Sequence, residues 1–153
     1  MIVALSIPCM ARERIRLRPV CAGRHAAGNR VSLVARNLVI KVTAGREEPE
    51  RCNQAFTVAA TAVASGVTVS LWLTGEAAWF SLPGNADGFS LPHAAPLADL
   101  LASVLALGTV TVCTQCAARR DITPADLIPG VRIAGSATFV AEVVADGAQA
   151  LVY

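Results

Sequence analysis

From residue 37 onward, hydrophobic and polar positions fall into two alternating patterns. Short, unbroken runs of branched apolar residues recur at "NLVIKVT" (37–43), "VTVSLWL" (67–73), "TVTVC" (109–113), "VRIAG" (131–135) and "QALVY" (149–153). Such runs predict strands covered on both faces, as in parallel sheets. Between the first two, Ala55, Phe56, Ala59, Ala62 and Val63 recur at three- and four-residue steps, which predicts a helix with one apolar face. Glu47, Glu48, Glu50 and Pro49 suit its N-terminal end, and Gly66 suits its C-terminal cap.

The second half of the chain repeats the alternation. Pro96 opens a helix through "LADLLASVLAL", which Gly108 ends. "TPAD" (123–126) predicts a short helical turn, and "SATFVAEVVAD" a helix capped by Ser136. The stretch 74–95, "TGEAAWFSLPGNADGFSLPHAA", holds three glycines and two prolines and reads as a long connection. Strand, helix and strand in succession predict an α/β three-layer sandwich around a five-stranded parallel sheet.

Charge changes the picture at one end. Residues 1–36 carry seven arginines and one acid, a net of +6, whereas residues 37–153 carry six basic and ten acidic residues, a net of −4. The expectation is a basic, poorly ordered extension over 1–36 followed by one domain over 37–153. The arm does not read as an export signal, because its arginines follow the apolar start. Nor does it read as a nucleic-acid tail, having no aromatic residue to stack on bases. No run of eighteen apolar residues predicts a membrane span, so the expected compartment is the reducing cytoplasm.

In "VTVCTQCAARRDI" (110–122), Cys113 and Cys116 form a C-x-x-C that begins on the last residue of the third strand. Ligand sites in open parallel sheets form at such carboxyl ends. A helical turn after Cys113 would offer free N–H groups, and Arg119 or Arg120 could fold back as counter-charge, both lowering the thiol pKa. A thiolate there could carry sulfur, cycle with Cys116 as a redox pair, or be absent if both cysteines are merely buried. A metal site would need Cys52 or His93 to complete it, and no second C-x-x-C exists. No G-x-G-x-x-G follows the first strand and no G-x-x-x-x-G-K-[ST] occurs, which argues against nucleotide binding.

The segments "LVIKVTAGREEPERCNQAFTVAATAVASGVTVSLWLTGEA", "VTVCTQCAARRDI" and "DLIPGVRIAGSATFVAEVVADGAQALVY" together resemble the DsrE/TusD family of small sulfur-relay proteins, from about residue 38 to 153. The resemblance implies a flavodoxin-like five-stranded parallel sheet, assembly as homo-trimers or hexamers, and no cofactor. It implies that Cys113 holds a persulfide, that Arg119 and Arg120 match the family's basic step, and that Cys116 stands where a second cysteine sometimes occurs. The expected function is a cytoplasmic sulfur carrier or sulfurtransferase working between a protein donor and a protein acceptor, with no nucleic acid or membrane partner. A thiol–disulfide switch on Cys113 and Cys116, or a non-catalytic subunit of such an oligomer, are the alternatives. The 74–93 segment departs from shorter relatives.

Overall fold

The computed structural model describes residues 37–153; the basic segment 1–36, with its expected lack of order, lies outside them. Five strands run β1 (Asn37–Val42), β2 (Thr68–Leu73), β3 (Thr109–Cys113), β4 (Val131–Ala134) and β5 (Ala148–Val152). All pair in parallel, in the spatial order β4-β3-β2-β1-β5. Four α-helices connect them: α1 (Pro49–Ala64), α2 (Leu97–Leu107), α3 (Thr114–Ala118) and α4 (Ser136–Val143).

Alternation along the strands sorts side chains between two faces. Ile40 and Val42, Val69, Leu71 and Leu73, and Val110 and Val112 point to one face and form the main core with α1 and α2. The chain steps from β1 to β2 to β3 to β4 in one direction, so the right-handed crossover rule keeps α1, α2 and the α3 connection on that side. Cys116, Ala117 and Ile122, of the α3 connection, duly join the same core. The step from β4 back past β1 to β5 reverses direction and carries α4 to the opposite face. There Phe139 packs edge-on against Trp72, with ring centroids 5.3 Å apart.

Local signals account for most boundaries. Pro49 occupies the start of α1. At its other end Gly66 takes φ +78, while its N–H and that of Val67 bond back to Val63 O and Ala62 O, a Schellman closure. Asp126 accepts the Thr123 backbone N–H and hydroxyl at 2.9 and 2.6 Å, fixing the single 3₁₀ turn at Pro124–Asp126. Ser136 does not cap α4: Gly135 stands at the cap position, no side chain closes the helix start, and the helix ends at Val143, short of the expected 146.

The 74–95 connection is a structured part of the core. Gly75–Ser81 forms a 3₁₀ helix, and Ala77, Ala78, Phe80, Ala86 and Phe89 are buried. Phe80 stands edge-on between Phe56 of α1 and Phe89, at 5.9 and 5.6 Å. Two aromatic edge-to-face contacts and full burial explain why so many glycines and prolines still yield a fixed structure.

Candidate functional site

The connections after β3 and β4 leave the sheet on opposite sides, so the carboxyl ends of these two strands form the switch point of the topology. This is where open α/β sheets hold their ligands. Cys113, last residue of β3, pairs in register with Ala134, last residue of β4, and both stand at that switch point. Cys113 is at once the end of the strand and the cap residue of α3, with φ −67 and ψ 129. The C-x-x-C spacing then sets Cys116 one turn further, inside α3.

The two cysteines have different surroundings. Cys113 is partly exposed, whereas Cys116 is buried. Burial alone would raise the Cys113 pKa and is the largest single influence on it. The backbone N–H groups of Cys116 and Gln115, the Cys116 thiol and the charge of Lys41 together outweigh burial and hold it below its ordinary 9.0. The backbone N–H groups at the start of α3 are the largest of these lowering influences. The arrangement therefore gives a partly exposed thiol that is more acidic than an ordinary cysteine, three residues before a second, buried one.

Cys116 is tied to the segment after β2. Its Sγ accepts the Gly75 N–H at 3.3 Å. Its carbonyl accepts from Arg120 at 3.2 Å, and the same guanidinium binds Glu76 Oε1 at 2.6 Å and lies 5.7 Å from the Trp79 ring centroid. Gly75 has φ +52, and a Cβ there would stand 2.6 Å from Thr43 O, so glycine is required. Beside the Arg120–Glu76 pair, Arg46, Glu47, Glu76, Trp79, Phe80, Gly84 and Asn85 line an open cavity of about 430 Å³. Neither cysteine lines it.

The sequence candidates thus separate. Cys113 and Cys116 come together. Arg120 is engaged with Glu76, Trp79 and the Cys116 carbonyl. The exposed Arg119 has no hydrogen-bond or ion-pair partner for its side chain among the described residues. His93 lies in an exposed loop at φ 63. Cys52 is fully buried on α1, and burial pushes its pKa up to about 12. Among the described residues no three His, Cys, Asp or Glu side chains group as a metal site.

Sequence reasoning missed Lys41 and Glu142. Lys41 was visible as the one charge inside an apolar strand, "LVIKV". Glu142 Oε2 accepts the Ser70 hydroxyl at 2.6 Å and the Trp72 indole N–H at 2.7 Å; Oε1 takes Arg132, whose Nε donates to Thr111. These contacts span up to 72 positions in sequence and leave no local signal.

The DsrE/DsrF-like family matches residues 36–153 of this chain. The crystal structure of the Escherichia coli ychN protein superposes with a TM-score of 0.63 at 20% identity, covering 77% of this chain and 98% of that one. The Methanobacterium thermoautotrophicum protein MTH1491, a protein of unknown function, superposes with a TM-score of 0.58 at 9% identity, covering 77% and 99%. At these identities the two structures speak to the fold alone. No curated protein matches the chain. Among the described residues no helix is long and apolar enough to cross a membrane.

Proposed function

The chain belongs to the DsrE/DsrF-like family, and from that premise we propose that it is a sulfur carrier that holds sulfane sulfur on Cys113 and passes it to a partner protein. The observation that supports this reading is a single, partly exposed sulfur at the carboxyl end of β3 whose pKa is held below the ordinary thiol value. The Cys113 thiolate attacks the outer sulfur of a donor persulfide, R–S–SH. The S–S bond breaks, R–S⁻ leaves, and Cys113–S–SH forms. An acceptor thiolate then attacks that outer sulfur and releases the Cys113 thiolate. Both steps are exchanges at sulfur with no net oxidation.

Cys116 favours a second reading, a thiol–disulfide switch, because it stands three residues after Cys113, inside the helix that Cys113 caps. Replacing it separates the two: a carrier still loads, a switch does not cycle. In either role Arg120 keeps the Cys116 turn joined to Glu76, and Arg119 is the arginine open to a partner. A reducing compartment such as the cytoplasm suits free thiols of this kind.

The same reading includes a homo-oligomer. No residue of β4, α4 or β5 is fully buried, although parallel strands are normally covered on both faces. Val140, Val144 and Val152 are exposed at 54, 71 and 67%. Copies of the chain meeting there would provide the missing cover.

The deciding experiment is mass spectrometry of the full chain after exposure to a low-molecular-weight persulfide donor. Cys113 should gain about 32 Da, one sulfur atom. Cys116→Ser should still load and Cys113→Ser should not. Absence of the adduct at Cys113 with several donors would overturn the carrier reading.

A further inference from the structure

Cys116 is fastened at both its sulfur and its carbonyl. The Gly75 N–H donates to Sγ at 3.3 Å, and Arg120 donates to the carbonyl oxygen at 3.2 Å. The same guanidinium grips Glu76 Oε1 at 2.6 Å, with the Trp79 ring centroid 5.7 Å away. Glu76 follows Gly75 directly, so both ties of one cysteine end on successive residues of the segment after β2. The Arg120 side chain is only 14% exposed, against 50% for Glu76, so this clasp is enclosed on the arginine side and open to solvent at the carboxylate.

A persulfide on Cys113 would have two sulfurs open to attack. A partner thiolate that attacks the outer one carries the sulfur away. A Cys116 thiolate that attacks the inner one would form a Cys113–Cys116 disulfide and expel hydrosulfide, HS⁻. In that step the outer sulfur is reduced, the two cysteine sulfurs become the disulfide, and no outside oxidant is needed. Residues three apart on a helix have Cβ atoms about 5–6 Å apart, whereas a disulfide brings them to about 3.5–4.5 Å. Closing the pair therefore requires the α3 turn to shift by roughly an ångström or more. The Gly75 and Arg120 bonds to Cys116 resist that shift.

We propose that the Glu76–Arg120 clasp is a positioning device that restrains Cys116 from discharging a loaded Cys113. The cargo rests on the carrier reading above; the clasp does not. Glu76 and Arg120 act through the Cys116 backbone, on which Arg120 closes. Closed, the clasp favours carriage of sulfur on Cys113. Opened, it favours the internal disulfide.

The test is the lifetime of the loaded chain after treatment with a low-molecular-weight persulfide and removal of the excess. An ion pair with one exposed member contributes modestly, so Glu76→Gln should release hydrosulfide roughly two- to fivefold faster than wild type. Peptide mapping should then find the Cys113–Cys116 disulfide. Adding Cys116→Ser to Glu76→Gln should abolish the extra release, which removal of one thiol would not do for a general loosening of the fold. Arg120→Lys keeps the charge but loses the fork that spans Glu76 and the carbonyl, and should behave like Glu76→Gln. A second arm uses oxidised glutathione and no sulfur donor. The Cys113 thiolate displaces one glutathione thiolate to form a mixed disulfide, and Cys116 expels the other by the same attack. That mixed disulfide should be shorter-lived in Glu76→Gln. Equal lifetimes in wild type and in either variant of native circular dichroism, or faster release that persists in the double variant, would overturn the proposal. Failure of Cys113 to take up sulfur would remove the carrier reading, while the glutathione arm would still read the clasp.

Discussion

Replacing Gly75 by alanine tests how firmly the segment after β2 holds the cysteine turn. Gly75 has φ +52, and its added Cβ would stand 2.6 Å from the Thr43 carbonyl oxygen. That oxygen cannot retreat freely, because it accepts the Glu76 N–H at 3.1 Å, and the adjacent Val42 carbonyl accepts both the N–H and the hydroxyl of Thr74 at 2.9 Å. The left-handed conformation alone costs about 1–2 kcal/mol for a residue with a Cβ. Relieving the contact through backbone strain adds about 1–3 kcal/mol. The sum, about 2–5 kcal/mol, is a large share of the 5–15 kcal/mol typical of a domain. With a mid-range urea slope of about 2 kcal/mol/M, the midpoint should fall by roughly 1–2.5 M.

Gly66→Ala is the matched control. Gly66 has φ +78 but nothing within 4 Å of a built Cβ, so it should show the conformational cost alone. Because the Gly75 N–H is the donor to Cys116 Sγ, Gly75→Ala should also speed alkylation of Cys116 in the native state, while Gly66→Ala should leave it unchanged. If both variants unfold at the same urea concentration, or if Cys116 labels equally in both, the reasoning about the Thr43 contact is wrong.

Two further outcomes are expected. Burial is the largest influence on Glu142 and pushes its pKa up, but the Ser70 hydroxyl, the Trp72 indole and Arg132 together hold it below the ordinary 4.5. Its contribution is therefore present at neutral pH and lost as pH falls through that lowered value. Glu142→Gln should be less stable than wild type near pH 7, by about 1–3 kcal/mol, and should lose less stability on acidification; parallel acid limbs in urea titrations at several pH values would contradict this. Val144→Glu combined with Val152→Lys should reduce the mass measured by light scattering to that of one chain, and a wild-type chain already monomeric at micromolar concentration would remove the assembly proposal.

The architecture was legible because apolar β-branched runs and short-range caps carry most of it. "TVTVC" ends as a strand at Cys113, and Pro49, Gly66 and Gly108 act at the helix ends where they stand. What escaped was set by long-range contact. The 74–95 segment has neither helical nor strand periodicity, and its order comes from Phe80 meeting Phe56 and Phe89 in space. Arg120 lies close to Cys113 in sequence yet turns to Glu76, 44 positions away, because an ion pair over an indole ring outcompetes a solvent-facing position beside the thiol.

Cys52 offers an internal clock. Fully enclosed beneath α1 and protonated at any physiological pH, it cannot react until the protein opens. In a timed labelling experiment resolved by peptide, modification of the partly exposed Cys113 tracks the folded molecule, and modification of Cys52 counts unfolding events in the same tube. A variant that seems to gain or lose reactivity can thereby be sorted at once into altered chemistry or altered integrity.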